Sequence, residues 1–212
     1  MGTLAALKAV NNFIDCAKNE KLVTCLISLD IKNAFNSIRW EDIINLLKMY
    51  KIPGKLLKLF RSFLNNRSVI LEDGSKWNYN IGVPQGSSCG PILWLIVANE
   101  ALKMFPEQSD TLVQAFADDF VILIKALASY KFSEISKNLI SCFELWAGRF
   151  NLRFRENKTK YIMFKVRKNI TPFPGIHLYG KRIGHTNELK YLGIIFDPNY
   201  SFMTHLQRVQ EK

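Results

Sequence analysis

Three aspartates lie at the ends of apolar segments, where carboxylates could bind the divalent cations that assist phosphoryl transfer. Asp30 closes the apolar run 22–30, and Asp118 and Asp119 lie between two further apolar runs, residues 112–117 and 120–124. Adjacent carboxylates about 4 Å apart repel each other by roughly 1 kcal/mol in water and by about 4 kcal/mol at an effective dielectric constant near 20. No Lys or Arg lies within five residues of the Asp118–Asp119 pair. We therefore expect a cation from solution to offset this repulsion.

Carboxylate oxygens are preferred ligands of hard divalent cations, and Mg²⁺ is commonly held by one or two carboxylates together with substrate phosphates. Two ions about 3.5 to 4 Å apart would stabilise the attacking and leaving oxygens of an in-line phosphoryl displacement. The aspartates thus predict phosphoryl transfer if the fold brings them together. An Asp-Asp pair by itself is also typical of an exposed acidic turn.

The pattern of apolar residues predicts the elements that would position these carboxylates. Residues 22–30 read as a β-strand that ends at Asp30, and residues 112–124 read as two strands joined by a turn at 117–119, which would expose both aspartates at one hairpin tip. Helices are predicted at residues 3–19, 40–50, 53–64, 89–104, 133–150 and from 202 onward, and further strands at 68–71, 76–81, 160–165 and 191–196. This mixed order predicts an α+β fold with an antiparallel sheet and packed helices.

Composition favours a folded domain with an anionic partner. The chain has 212 residues, 48% of them hydrophobic, and 29 Lys and Arg against 18 Asp and Glu give a net charge of +11. Residues 48–67 contain six basic residues and no acidic one, and residues 149–182 contain ten basic residues and the single acidic Glu156. Such tracts favour nucleic acid or an anionic membrane surface as a partner, although each tract alone is also compatible with a solvated face.

Several classes of protein are disfavoured. No apolar run reaches the roughly 18 to 20 residues that span a bilayer, and the amino terminus lacks the pattern of a secretion signal, so neither a membrane span nor export is predicted. The four cysteines have no Cys-x-x-Cys spacing, and the three histidines do not complete a zinc site. We expect reduced, mostly buried thiols in an intracellular protein.

Five segments, in order, resemble the sequence blocks of reverse transcriptases, most closely those of non-LTR (LINE-like) retrotransposons. They are residues 28–37 (SLDIKNAFNS), 82–93 (GVPQGSSCGPIL), 116–119 (FADD), 151–160 (NLRFRENKTK) and 189–194 (LKYLGI). The resemblance covers nearly the whole chain. It implies a polymerase palm with an antiparallel sheet, packed helices, partial fingers and the start of a thumb.

The resemblance also implies a reaction and a metal centre. The chain would be an RNA-directed DNA polymerase that transfers a nucleotide from a dNTP to a primer 3′-OH, with an RNA template and a DNA primer as partners. Asp30 and Asp118 would bind two Mg²⁺ ions, or Mn²⁺ in their place, with the backbone carbonyl of Ile31 as a further ligand and Asp119 in support. The alternative for Asp30 is a carboxylate that merely ends its strand.

Further residues gain roles by the same resemblance. Phe35 falls where the family places the aromatic ring that rejects a ribose 2′-hydroxyl, since the hydroxyl would clash and lack a hydrogen-bond partner; the alternative is a core Phe. Pro84, Gln85 and Gly86 would contact the nascent base pair and the template, the alternative being an ordinary turn before a helix.

Two later segments are assigned in the same way. Lys158 would protonate or stabilise the departing pyrophosphate. Lys160 is only two residues away and could be the residue that has this role. The alternative is that either lysine binds phosphate at the surface. Residues 189–194 would form a hairpin that holds the primer terminus, or else a plain core strand.

The chain departs from the complete family pattern at its ends. Only 29 residues precede Asp30, so we expect residues 1–212 to form a palm-centred reverse transcriptase domain that lacks the amino-terminal fingers blocks and most of the thumb. The leading alternative function is therefore an inactive palm that serves as a nucleic-acid-binding module. A maturase of the group II intron type is another alternative, whereas Phe35 argues against an RNA-dependent RNA polymerase. An active enzyme would work in the nucleus, at the site of insertion.

Overall fold

The structure is a computed structural model that describes residues 2–84, 86–106, 108–164 and 175–211. Helices in the described residues are α1 (Thr3–Asn19), α2 (Ala34–Ser37), α3 (Trp40–Met49), α4 (Gly54–Leu64), α5 (Gly90–Leu102), α6 (Ser129–Arg149) and α7 (Met203–Gln210). Strands are β1 (Val23–Asp30), β2 (Ser68–Ile70), β3 (Lys76–Asn78), β4 (Thr111–Phe116), β5 (Asp119–Ala126), β6 (Lys160–Phe164), β7 (His177–Leu178), β8 (Lys181–Arg182), β9 (Gly184–His185), β10 (Leu189–Tyr191) and β11 (Ile194–Phe196). The predicted helices and most of the predicted strands are confirmed to within a few residues.

A five-stranded sheet in the order β4-β5-β1-β6-β9 forms the centre of the fold. Its pairs are antiparallel except for β6 and β9, which run parallel, and three two-stranded hairpins lie outside it: β2-β3, β7-β8 and β10-β11. The predicted α+β class is confirmed. The parallel edge was not predicted, because β9 contains only Gly184 and His185 and leaves no pattern in the sequence.

The central strand β1 is covered on both faces, which explains its nearly continuous apolar sequence. Cys25, Ile27 and Leu29 point into the larger core, which contains residues of α3, α5 and α6. Leu26 points to the opposite face, into a smaller core built with α1 and the β10-β11 hairpin. Successive side chains of a strand alternate between faces, so Asp30 lies on the same side as Leu26.

An aromatic cluster fixes α5 and α6 against the sheet. Phe143 and Trp146 of α6 pack against Phe120 of β5, with ring centroids 5.4 and 5.3 Å away. The indole Nε1 of Trp146 donates a hydrogen bond to the carbonyl of Val97 in α5, 3.1 Å away. Each aromatic pair adds about 0.5 to 1.5 kcal/mol to the free energy gained by area burial. The cluster therefore holds α6 against the larger-core face of β5, opposite the face on which Asp30 and Asp119 lie.

Several details differ from the sequence predictions. Helix α6 begins at Ser129, before the predicted 133. Residues 191–196, predicted as one strand, belong to the β10-β11 hairpin, which turns at Leu192 and Gly193 through positive φ angles. The thiols are not mostly buried: only Cys25 is, Cys16 is exposed and the other two are intermediate. Residue 165, the predicted end of a strand, lies outside the described residues.

A membrane span was not predicted, and the described part of the chain contains no helix with both the length and the apolar character that crossing a bilayer would require.

Candidate active site

Asp30 and Asp119 face each other across the two central strands. Asp30 is the last residue of β1 and Asp119 the first of β5, and the antiparallel register pairs them directly. Directly opposed residues of an antiparallel pair project to the same face, with Cβ atoms about 4.5 to 5.5 Å apart. Carboxylates from two sequence blocks almost ninety residues apart are thus brought together on the face of the smaller core.

Asp118 lies beside them in a strained turn. Phe116 pairs with Asp119, so Ala117 and Asp118 form a two-residue connection between β4 and β5. Ala117 has φ +52°, a conformation that favours glycine, whereas Asp118 is not among the residues with positive φ. A left-handed conformation of a non-glycine residue costs about 1 to 3 kcal/mol. Only Asp118 of the predicted pair is therefore in the turn, since Asp119 is already part of the strand.

The three carboxylates interact electrostatically. The pKa of Asp119 is raised above its ordinary value of 3.8, first because neighbouring protein atoms desolvate the carboxylate and then because Asp118 and Asp30 repel its charge. Nevertheless, among the described residues no three His, Cys, Asp or Glu side chains are clustered tightly enough to hold a metal ion unaided. The aspartates converge as predicted, but as neighbouring groups and not as a closed ligand cage.

Arg155 supplies a positive charge to the site through Asp30 rather than through the Asp118–Asp119 pair. Its guanidinium binds both carboxylate oxygens of Asp30: Nε contacts Oδ2, and Nη2 lies 3.1 Å from Oδ1. Its backbone N–H donates to the carbonyl of Asp30 at 2.7 Å, and the hydroxyl of Thr159 accepts a bond from the N–H of Asp30 at 3.3 Å. The segment that follows α6 therefore wraps around the end of β1. Sequence reasoning missed Arg155 because it considered only residues near the aspartates along the chain.

The donor set suits a hard divalent cation. Carboxylates of Asp30, Asp118 and Asp119 offer hard oxygen ligands, and one or two of them with substrate phosphates satisfy Mg²⁺. Two backbone hydrogen bonds form at this strand end. The carbonyl of Asp30 accepts one from the N–H of Arg155, and the N–H of Lys32 donates the other to the carbonyl of Arg153 at 2.8 Å. Neither bond uses the carbonyl of Ile31. Residues of the chain thus fit the predicted metal, with Arg155 as an unforeseen competitor for Asp30.

Phe35 and the loop that precedes α5 border a pocket of about 490 Å³, which is lined by Phe35, Pro84, Gly86, Ser87, Ser88, Gly90 and Pro91. The loop is tied to the Phe35 segment, because the N–H of Val83 donates to the carbonyl of Phe35 at 2.6 Å. At Gly82, with φ +83°, a Cβ atom would lie 3.0 Å from the backbone of Asn36, so only glycine permits this approach. Gln85 lies outside the described residues.

Phe35 is only half-buried, and its ring packs against Trp94 with 5.4 Å between centroids. The two interpretations of Phe35 are therefore compatible, since the same residue packs on the core and borders the pocket.

The lysines are less closely associated with the aspartates. Lys158 and Lys160 are both exposed, and within the described residues neither forms an ion pair with any of the three carboxylates. Lys158 lies in a turn, where its backbone N–H donates to the carbonyl of Arg155 at 3.1 Å. The structure thus places Lys158 beside the site along the chain without bringing its amine into contact with the aspartates.

The predicted 189–194 hairpin lies on the carboxylate side of the sheet. Tyr191 is buried in the smaller core, where its hydroxyl has no hydrogen-bond partner among the described residues. Burial and the negative charge of Asp119 raise the pKa of Tyr191 to about 12. Tyr191 shares the smaller core with Val121 of β5, so the hairpin packs on the face of the sheet that carries Asp119.

A mostly antiparallel sheet backed by helices, with aspartates gathered from a strand end and a hairpin turn, defines the palm of a nucleic-acid polymerase. Comparison with known proteins identifies the kind of polymerase. The model of the reverse transcriptase (RNA-dependent DNA polymerase) family matches residues 3–196, and the chain belongs to this family.

The relatives and the similar structures agree with this assignment. The chain is 29% identical to the RNA-directed DNA polymerase from the mobile element jockey of Drosophila melanogaster and 26% identical to the Pol polyprotein of the retrotransposable element R1 of Bradysia coprophila. These matches cover 99% and 98% of the chain but only 24% and 20% of the relatives. Apo telomerase from Candida tropicalis, truncated from its C-terminal domain, has the same fold, with a TM-score of 0.63, 16% identity, and coverage of 92% of this chain and 38% of that one. The predicted family resemblance and palm fold are confirmed.

Proposed function

We propose that this chain carries the nucleotidyl-transfer centre of a non-LTR retroelement polymerase, which extends a DNA primer with dNTPs on an RNA template. The observation that carries the proposal is the register of β1 and β5, which sets Asp30 directly opposite Asp119 beside the Asp118 turn. The names of the relatives, RNA-directed DNA polymerases of mobile elements, support the same activity. Because the chain spans about a quarter of those relatives, the activity of a whole protein is part of the proposal.

Divalent cations complete the proposed centre. Asp30, Asp118, Asp119 and the carbonyl of Ile31 would hold two Mg²⁺ ions, or Mn²⁺ in their place. When bound there, the ions would supply charge neutralisation for the attacking and leaving oxygens. The aspartates themselves orient the site, since β1 and β5 hold two of them and the turn holds the third.

The remaining residues would select and orient the substrate. Phe35 borders the pocket, where its ring would exclude a ribose hydroxyl, and Pro84, Gln85 and Gly86 would contact the base pair. Lys158 would act on the pyrophosphate, since its side chain is exposed to solvent and has no ion-pair partner among the three carboxylates in the described residues.

The surface suits a polyanionic partner. Helix α4 exposes Lys55, Lys58 and Arg61 on one side of the molecule, without an acidic residue in the helix. Such groups bind the phosphates of RNA and DNA irrespective of sequence. The β10-β11 hairpin, next to Asp119, would hold the primer end. We place residues 1–212 in a palm-centred part of the polymerase, which would work in the nucleus at the site of insertion.

Primer extension tests the proposal. The chain is mixed with an RNA template, a DNA primer, Mg²⁺ and dNTPs, and is compared with Asp118→Ala and with Asp73→Ala. Asp73 lies in the exposed turn between β2 and β3 and controls for the loss of an acidic turn residue. We expect extension by the parent and by Asp73→Ala, and at least about 100-fold slower extension by Asp118→Ala.

Equal rates for the parent and Asp118→Ala would show that the site is assigned wrongly. Salt-sensitive binding of the template and primer without any extension would instead favour the nucleic-acid-binding module.

A further inference from the structure

Trp94 of α5 contacts both halves of the candidate site. Its ring lies against Phe35, with 5.4 Å between the centroids and 38° between the planes. On the other side, its Nε1 donates a hydrogen bond to the carbonyl of Ala117 at 2.6 Å. The side chain is buried, with 1% of the residue exposed. One buried side chain therefore spans the distance from the pocket bordered by Phe35 to the turn that carries Asp118.

The turn depends on this hydrogen bond more than an ordinary turn would. Ala117 adopts φ +52° without being glycine, so its conformation persists only if the surroundings stabilise it. The Trp94 bond acts on the carbonyl of this residue, which directly precedes Asp118. Loss of the bond would leave the strained residue free to relax, and Asp118 would move with it.

Phe35 depends on the indole in a different way. It belongs to α2, a helix of only four residues with no side-chain cap, which follows Asn33 in a left-handed conformation. A hydrogen bond from Val83 fixes its backbone, and the Trp94 ring packs against its side chain. A smaller residue at position 94 would give the Phe35 ring room to retreat from the pocket.

We infer that Trp94 is a positioning residue that holds the Phe35 ring and the Asp118 turn in a fixed relation, so that selection of the sugar and catalysis share one support. The inference rests on the proposed function. The contact of the indole ring with Phe35 would support the preference for deoxynucleotides. The hydrogen bond from the indole N–H to Ala117 would support the rate of nucleotide transfer.

Two variants separate these roles. Trp94→Phe keeps an aromatic ring but removes the N–H donor, whereas Trp94→Leu removes both. Trp146→Phe is a matched control, because Trp146 is equally buried and also donates its Nε1–H to a backbone carbonyl, that of Val97. Its aromatic neighbours in the described part of the chain are Phe120, Phe143, Phe150 and Phe154 rather than Phe35. The readouts are kcat and KM of primer extension, the ratio of deoxy- to ribonucleotide incorporation, and amide hydrogen exchange of residues 116–119.

We expect Trp94→Phe to lower kcat by about 10- to 100-fold, as misplacement of a catalytic group by about 1 Å does, with little change in the incorporation ratio. Trp94→Leu should in addition lower the ratio about tenfold. Exchange at residues 116–119 should accelerate in both variants and stay unchanged in Trp146→Phe. The inference is overturned if both Trp94 variants match Trp146→Phe in kcat, ratio and exchange.

Failure of the proposed function would look different. If the parent chain does not extend a primer, the proposed function fails, and the exchange experiment alone decides whether Trp94 holds the turn. If Trp94→Leu does not fold, Trp94→Phe decides through kcat and exchange, and an unchanged value of both contradicts the inference.

Discussion

The guanidinium of Arg155 and a divalent cation would compete for the same carboxylate, that of Asp30, and the substitution Arg155→Gln measures this competition. Gln is shorter than Arg, but it keeps the first three side-chain carbons and can still form hydrogen bonds, and it carries no charge. We expect the variant to bind Mg²⁺ or Mn²⁺ more tightly than the parent. We also expect it to fold less stably, because Asp30 loses its bidentate partner.

The size of both effects follows from the exposure of the pair. The side chains of Arg155 and Asp30 are 34% and 30% exposed, so water screens their attraction and the pair resembles a surface ion pair more than a buried one. Such a pair contributes about 1 kcal/mol at most. Since 1.4 kcal/mol is a factor of ten in a binding constant, cation affinity should rise about fivefold. The same free energy corresponds to a decrease of about 2 to 4 °C in the melting temperature.

Arg153→Gln is the control for a change in net charge. Arg153 belongs to the same segment, is 64% exposed, and pairs with Glu156 at 3.0 Å, away from Asp30. Titration of Mn²⁺, followed by electron paramagnetic resonance or calorimetry, gives the affinities without requiring turnover. Similar affinities for Arg155→Gln and Arg153→Gln would refute the reasoning, because Asp30 would then not be a ligand for which the guanidinium competes.

Two further predictions concern the carboxylates and the pocket. Phe35→Ala should reduce the preference for deoxy- over ribonucleotides at least about tenfold, because the ring that would clash with the 2′-hydroxyl is lost; an unchanged ratio in competitive primer extension would assign Phe35 to packing alone. Asp119→Asn should raise the melting temperature at pH 7, because the raised pKa of Asp119 shows that the fold disfavours its charged form. The stability of the parent falls as the pH rises from 3.8 through the raised pKa of Asp119. The gain in melting temperature of Asp119→Asn should therefore shrink as the pH is lowered toward 3.8. A gain that does not depend on pH would show that it does not come from the charge of Asp119.

The backbone of the site was predictable because its signals are local. The apolar run that ends at Asp30 and the two runs around the Asp118–Asp119 pair define β1, β4 and β5, and apolar strands bring polar residues at their ends to the edge of a sheet. The pairing of Asp30 with Asp119 also requires β1 to lie next to β5 in the sheet, and strand ends alone do not determine that order.

The supporting contacts were not predictable, because they join distant segments. Arg155 is 125 residues from Asp30 along the chain, and nothing in the basic tract 149–182 distinguishes it from its neighbours. Helix α5 is apolar on nearly all sides, so its sequence does not reveal which face Trp94 presents to Phe35 and Ala117. The left-handed Ala117 was equally unforeseen, since such turns usually carry glycine.

The direct pairing of Asp30 with Asp119 makes the site far more sensitive to insertions and deletions than to substitutions. Because side chains alternate along a strand, one residue added to or removed from β1 or β5 would turn a carboxylate toward the opposite core. Exchanges of one apolar residue for another leave this alternation intact. We therefore expect β1 and β5 to have the same lengths in this chain and in the jockey polymerase, although the two are only 29% identical.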